Sequence, residues 1–418
     1  MAALQILVSG VTLFVLYKYL IYTLGIELIG VWSIVMAFSA FLRTGDFGFA
    51  GSIVKFISTS ITKNETQKVL NIITTSFTSV AVILGALLLV FYPILNYLLS
   101  FFIEIQYLSL AQELLPYSLI SVWFAVLGTL TIFIFDGINR VDLRSIFLVI
   151  FNLILVGFSI LFVHIYGFIG LGYAQVLHSL LLLLTAWILV RKYLKIKFIL
   201  PFAWNKHIFK EMFSYSMHLQ MSSIMAMMLE PVSKLLLGYF GNLSSVGYFE
   251  MANRLVMQVR NVIVNANQAL VPMLSKEHTE NTNSNTSFIK IIKVLFVLSL
   301  FSYSTVALLT PLISQLWIGT YQEQFTNYTY IILFALAINT IAGSAYFINM
   351  STGDVKYNTY SQIIIAFFSI FLGIILGYLY TSTGIVISYT LSIIIGSLWL
   401  ILNFIQRNND DKTYKINS

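Results

Sequence analysis

Between Ile146 and Val190 the chain reads IFLVIFNLILVGFSILFV (Ile146–Val163), then HIYGF, then IGLGYAQVLHSLLLLLTAWILV (Ile169–Val190). Neither long run contains Asp, Glu, Lys or Arg, and each has the roughly twenty residues that a helix needs to cross a hydrocarbon core of ~30 Å. The pair is bracketed by Arg140 and Arg144 before it and by Arg191 and Lys192 after it, while the turn around Gly167 has no Lys or Arg. This is the pattern of a membrane hairpin with both ends on the basic side. The rest of the 418-residue chain follows suit. With 59% hydrophobic and only 9% charged residues and a mean hydropathy of +0.89, against ~25% charged in a soluble domain, a water-soluble globule is excluded.

Windows of spanning length give twelve helices, near Leu4–Leu24, Gly30–Ile57, Val69–Tyr92, Leu114–Phe135, Ile146–Val163, Ile169–Val190, Phe213–Leu237, Ser245–Leu274, Val294–Leu312, Tyr328–Met350, Tyr360–Tyr380 and Ile385–Phe404. The first lacks a basic leader and a small-residue cleavage site, so it reads as a retained helix and not as a signal peptide. Basic residues collect in alternate loops: Lys55, Lys63 and Lys68; Arg140 and Arg144; Arg191 to Lys210; Lys276, Lys290 and Lys293; Lys356; and Arg407, Lys412 and Lys415. The intervening loops have none. The positive-inside rule therefore places both termini in the cytoplasm. Leu95–Leu110 is apolar enough for a thirteenth span, but would turn every later basic loop outward, and is expected to be an interfacial segment carrying Glu104.

The net charge of +7 belongs to these loops, so nucleic-acid binding is not expected, and the Arg191–Lys210 cluster is expected to touch anionic membrane lipid. There is no Cys, and the five His residues form no HExxH or close pair, so no metal or other cofactor is expected. Asn281–Thr286 reads as a polar connector.

The chain repeats itself. Lys18, Gly25, Gly30 and Arg43 match Lys234, Gly241, Gly247 and Arg260, and Gly137 follows Gly25 at the same spacing as Gly353 follows Gly241. Six spans per half make the repeat parallel, with its axis along the membrane normal; chance recurrence of loop Gly and Arg is the alternative. The expected fold is an all-α polytopic membrane protein, with twelve transmembrane helices in two six-helix bundles around a central cavity. The divisions are 1–195 for the first bundle, 196–212 for a cytoplasmic linker, 213–406 for the second bundle and 407–418 for a tail.

Ionisable groups inside the bilayer cost roughly 2.5–3.5 kcal/mol each on insertion scales and usually face a bundle interior or a wet cavity. Here they are Lys18, Arg43 and Asp46 in the first half, and Glu230, Lys234, Glu250, Arg254 and Arg260 in the second. At ~1.5 Å per residue, Lys18 and Lys234 lie about 10 Å below the outer loops, and Arg43 and Arg260 about 20 Å. In the eighth span Glu250, Arg254, Gln258, Asn261, Asn265 and Gln268 share an arc of ~80°, a polar stripe suited to a polyhydroxylated ligand. Gln220 and Ser223 extend the polar set in the seventh span, where Pro231 interrupts the hydrogen-bond ladder. Ion pairing at i,i+3 or i,i+4 is the plain alternative for Arg43/Asp46, Glu230/Lys234 and Glu250/Arg254, but not for Lys18 or Arg260. These residues are the candidate substrate site, and its five basic against three acidic groups suit an anionic ligand.

The segment LGIELIGVWSIVMAFSAFLRTGDFGFAGSIVKFIS (Leu24–Ser58) resembles the opening of the bacterial oligosaccharide flippases, the Wzx-type members of the multidrug/oligosaccharidyl-lipid/polysaccharide exporter superfamily. LLLGYFGNLSSVGYFEMANRLVMQVRNVIVNANQALVPMLS (Leu235–Ser275) is similar to that family's seventh and eighth helices, and FDGINRVD (Phe135–Asp142) to the loop after its fourth. Lys18 stands where the family often has Arg. The resemblance implies a central cationic cavity and a polyprenyl-pyrophosphate-linked oligosaccharide as cargo, carried across the bacterial inner membrane for O-antigen, lipopolysaccharide, capsule or a related polymer. A polysaccharide polymerase is a candidate partner, and the expected mechanism is alternating access between the two halves, with Asp46, Glu230 and Glu250 as candidates for H⁺ or Na⁺ coupling by change of charge state, which spacing does not distinguish from ion pairing. A cation-coupled multidrug exporter of the same superfamily is the competing function. A membrane-embedded glycosyltransferase or polymerase would need large outer loops or a metal-binding carboxylate motif, so no enzyme is expected.

Overall fold

The apolar runs become helices, and helices and turns are all that occur among the described residues of the computed structural model, which are 2–43, 48–196, 201–268, 284–352 and 354–417. In chain order they are α1 (Ala2–Leu24), α2 (Ile26–Arg43), α3 (Phe49–Thr62), α4 (Thr66–Leu98), α5 (Ile105–Gly137), α6 (Val141–Tyr166), α7 (Gly170–Leu194), α8 (Lys206–Phe240), α9 (Leu243–Gln268), α10 (Ser284–Ile318), α11 (Glu323–Thr352) and α12 (Val355–Asn417). Every expected span falls on these helices as far as the described residues reach, the eighth continuing past Gln268 beyond them. The second is shared between α2 and α3, and the last two are joined within α12 across a break at Thr381. The protein is an all-α, multi-pass membrane protein.

Seven helical stretches among the described residues are long and apolar enough to cross a membrane, and two of these, Val141–Leu194 and Val355–Arg407, hold two spans each. α8 carries Glu230 and Lys234, and α9 carries Glu250, Arg254 and Arg260, which makes these the helices with the polar chemistry.

Leu95–Leu110 forms no interfacial helix of its own. α4 runs on to Leu98, a single 3₁₀ turn covers Leu99–Phe101, and α5 starts at Ile105 with Glu104 at its N-cap. At 33 residues each, these helices are about 50 Å long and outrun the hydrocarbon thickness, so the apolar surplus sits in their projecting ends. The polar connector also changes character, since Ser284–Thr286 already belongs to the first turn of α10. Asn281–Asn283 lie outside the described residues.

The chain divides into two compact units, Met1–Ile224 and Met225–Ser418, with the division inside α8; the sequence placed its linker at 196–212. In the first unit α5 is the hub, packed on α7, α3, α2 and α4, and its Leu114, Leu115, Val122 and Phe135 are fully buried. In the second, α11 is the hub, packed on α12, α9 and α10. The two hubs are the fourth span of each half.

The repeat also appears in turn geometry. α6 ends at Gly167 (φ 61, ψ −140), and α12 breaks at Thr381 (φ 51, ψ −131), the counterpart in the second half. Three residues beyond each, Gly170 and Gly384 press so closely on the preceding helix that an added Cβ would overlap the carbonyl oxygens of Phe162 and Leu376 respectively. Those two carbonyls keep the same separation along the chain as Gly167 and Thr381. The same hairpin is thus built once with glycine at the positive-φ position and once with threonine.

α8 starts on the first unit. Thr78 Oγ1 donates to the carbonyls of Pro201 (3.1 Å) and Ala203 (3.2 Å), and the Asn205 N–H donates to Thr75 Oγ1 (3.1 Å). Asn205 Oδ1 then accepts from the N–H groups of His207 (3.0 Å) and Ile208 (3.2 Å), capping the helix. Asn242 does the same for α9 by accepting from the Ser245 N–H at 2.8 Å.

Candidate functional site

The seventh and eighth spans supply four charged side chains that meet in the second unit. Glu230 and Lys234 stand one turn apart on α8, and Glu250 and Arg254 one turn apart on α9, so each helix presents its pair on one face. The Lys234 ammonium is bound by both Glu230 Oε1 and Glu250 Oε2. Arg254 Nε donates to Glu250 Oε1 at 2.8 Å, and its Nη2 lies 3.7 Å from Glu230 Oε1. Charges alternate around a closed quartet whose formal sum is zero. Its inner half is buried, with side-chain exposures of 5% for Lys234 and 3% for Glu250, whereas Glu230 at 28% and Arg254 at 44% form the accessible half. α8 continues as a helix through Pro231.

The i,i+4 pairs account for two contacts of this quartet, and the cross-helix bond between Lys234 and Glu250 is what fuses them. Lys234, one of the intramembrane cations expected from the sequence, therefore has its charge answered by two carboxylates. Its repeat mate Lys18 is placed differently. It lies on the exposed stripe of α1 with Val11, Val15 and Tyr22, and has no hydrogen-bond or ion-pair partner among the described residues. Arg43 is the exposed last residue of α2, and Asp46 lies outside the described residues.

Along α9 the polar stripe divides. Arg254 and Asn261 are exposed and Gln258 is half-buried. The side chains of Asn265 and Gln268, like those of Gln220 and Ser223, lie outside the described residues. Arg260 is off the stripe: at ~100° per residue counted from Glu250, it stands about 80° to the other side. It turns toward α11 and α12, where its Nε and Nη2 donate to Asn339 Oδ1 at 3.2 and 3.0 Å. Asn339 Nδ2 in turn donates to Ser397 Oγ at 2.9 Å. These groups line a cavity of about 420 Å³ within the second unit, together with Thr340, Tyr346 and Gln362. On a third side of α9, the buried Asn253 accepts a hydrogen bond from the Tyr389 hydroxyl at 3.1 Å.

Asn339, Ser397, Tyr346 and Gln362 were not among the expected site residues. A signal existed in the lone Asn339 of LFALAINTIAG (Leu333–Gly343), an amide in an apolar span. Its pairing with Arg260, two helices earlier in the chain order, is a tertiary fact. No group of three or more His, Cys, Asp and Glu that could hold a metal occurs among the described residues. What the second unit offers is one guanidinium held by a neutral amide beside hydroxyl and amide groups, and a separate self-neutralised quartet. The first arrangement suits an oxyanion or a polyol, because the guanidinium charge is not cancelled in place.

Solved structures share this fold. The inward-closed form of the lipid II flippase MurJ superposes with a TM-score of 0.80 at 18% identity, over 96% of this chain and 87% of that one. An inward-facing multidrug resistance MATE family transporter of the MOP superfamily gives 0.78 at 16%, over 95% of each chain. A MOP superfamily transporter from Pyrococcus furiosus, described as having a binding pocket of reverse polarity, gives 0.64 at 17%, over 96% and 94%. No curated protein matches in sequence. The family described as polysaccharide biosynthesis protein matches residues 2–278, and the chain belongs to that family.

Proposed function

We propose that the protein flips a polyprenyl-pyrophosphate-linked oligosaccharide from the cytoplasmic to the outer leaflet of a bacterial inner membrane by alternating access, for O-antigen, capsule or a related surface polysaccharide. One observation carries the reading: the membrane-embedded site is cationic and rich in hydroxyl and amide groups, while its two carboxylates, Glu230 and Glu250, are bound to cations. A pocket for cationic drugs needs the opposite polarity, so this observation favours the saccharide over the multidrug alternative. The family and the likeness to a lipid II flippase fold support the same choice.

In this reading Lys18 and Arg43 offset the pyrophosphate charge, Arg260 meets an oxyanion of the head group, and Arg254, Gln258 and Asn261 bind sugar hydroxyls while the lipid tail stays in hydrocarbon. Asp46, Asn265 and Gln268 keep the roles that their sequence positions suggest. Lys234 and Glu250 hold Arg254 in place, and Glu230, the more accessible carboxylate, is the group through which H⁺ or Na⁺ would couple. The basic loops put both termini in the cytoplasm.

The test is transport in proteoliposomes with a fluorescent lipid-linked saccharide and a fluorescent cationic dye. The wild-type protein is expected to move the first and not the second. Arg43→Ala with Arg260→Ala is expected to slow flipping at least about tenfold, equivalent to about 1.4 kcal/mol of barrier. Dye movement without saccharide flipping would overturn the assignment, and an unchanged rate in the double variant would remove the cationic path.

A further inference from the structure

The cavity beside Arg260 has a chemistry unlike that around the other paired cations. Arg140 faces Asp142, Arg144 faces Asp136, Arg254 and Lys234 face Glu250, and Arg407 faces Asp354. Among the described residues Arg260 is held by an amide oxygen alone, and no Asp or Glu lines the chamber. Two of its five N–H donors are taken by Asn339, which fixes the guanidinium plane without cancelling its charge. Asn339 is itself locked, since its Nδ2 is committed to Ser397.

Other hydroxyls of the lining are occupied: Thr340 Oγ1 is hydrogen-bonded to the Tyr303 hydroxyl at 2.8 Å, and Ser361 Oγ donates to the Gly396 carbonyl at 2.9 Å. The Tyr346 hydroxyl and the Gln362 amide have no hydrogen-bond partner among the described residues. Opposite these polar groups the wall is apolar, with Phe347, Met350 and Leu400. A volume of about 420 Å³ equals on the order of a dozen waters at ~30 Å³ each and falls toward the small end of ligand pockets. It has room for one sugar ring with a substituent and not for an oligosaccharide.

We propose that this chamber is a subsite for a single anionic sugar unit, whose carboxylate or phosphate pairs with Arg260 while its hydroxyls meet Gln362 and Tyr346 and its C–H face lies on Phe347. The proposal rests on the saccharide reading above and narrows it: the cargo carries an acidic group close to hydroxyls. That oxyanion has two sources, an acidic sugar or the pyrophosphate that links the first sugar to the lipid.

The experiment uses the full-length protein in detergent, with thermal unfolding followed in the presence of glucuronate, glucose, inorganic pyrophosphate or chloride at matched ionic strength. Glucuronate is expected to raise the unfolding temperature where glucose and chloride do not. Protection by pyrophosphate but not glucuronate would assign the oxyanion to the linker and overturn the acidic-sugar identity. Equal protection by chloride and glucuronate, or protection by none of the four, would overturn the subsite.

Arg260→Gln is expected to abolish the effect. Because that variant can fail to fold, Asn339→Asp is the second arm. It keeps the hydrogen bonds to Arg260 but neutralises the guanidinium in place, so it is expected to unfold no earlier than wild type and yet bind glucuronate at least about tenfold more weakly. Undiminished glucuronate binding by Asn339→Asp would sink the proposal. Wild-type protein that binds glucuronate but flips no lipid-linked saccharide would refute the transport reading alone, and flipping without oxyanion protection would refute the subsite alone.

Discussion

Replacing Glu250 by glutamine removes one negative charge from the centre of the quartet and leaves Lys234 and Arg254 facing only Glu230. Lys234 is nearly inaccessible and bound by both carboxylates, so the change leaves a buried excess charge. Breaking a buried pair from one side costs about 3–5 kcal/mol. The Arg254 arm is nearly half exposed and screened, and contributes at most about 1 kcal/mol of that. For a unit the size of Met225–Ser418, where 1 kcal/mol shifts the midpoint by about 2–4 °C, Glu250→Gln should lower the unfolding temperature by about 6–20 °C. Glu230→Gln should cost less, about 1.5–3 kcal/mol, because Lys234 keeps Glu250. Pairing Lys234→Met with Glu250→Leu removes both buried charges and should recover stability to within about 2 kcal/mol of wild type. The assay is thermal unfolding of the purified protein in detergent, arranged as a double-mutant cycle. If Glu250→Gln unfolds with wild type, or the double variant is no better than the single, the four residues do not act as one network.

Three further outcomes follow from the geometry. Gly170→Ala and Gly384→Ala should each destabilise by about 1–3 kcal/mol, since both new methyl groups meet backbone carbonyls; wild-type midpoints would contradict the shared hairpin. Thr381→Gly should stabilise by up to about 2 kcal/mol, because strain of about 1–3 kcal/mol at that backbone position exceeds the added chain entropy of about 0.4–1 kcal/mol; an earlier-unfolding variant would refute it. At the start of α6 the Arg140 guanidinium, hydrogen-bonded to Asp142, holds its carboxyl below the ordinary carboxylate range. Its contribution is therefore fully present above the unfolded-state value of about 3.9 and is lost only as pH falls through the lower folded-state value. Asp142→Asn should leave stability at pH 7 to 5 with the same slope as wild type and flatten the decline below about pH 4, and a changed slope near neutrality would contradict the assignment.

The spans were legible because membrane insertion is a local property: about twenty apolar residues and the loops beside them decide each helix. Lys234 and Arg254 illustrate where that legibility stops. Their i,i+4 partners follow from helical spacing, but the bond from Lys234 to Glu250 joins two helices and is invisible to spacing. The hairpin at Gly167 and Thr381 was missed for another reason, since the two positions share backbone angles and not residue type. Hydropathy alone left Leu95–Leu110 open to a thirteenth span, because it records apolar surface; the segment is the end of α4, a turn and the start of α5.

By itself the sequence determined that this chain crosses a membrane many times, that its halves repeat and that a few charged residues lie where lipid should be. Tertiary structure alone decided how those charges are partnered, making Lys234 part of a neutral quartet and giving Arg260 an amide in place of a carboxylate. The reason is physical: cancellation of charge depends on distance across helices, and only folding sets that distance.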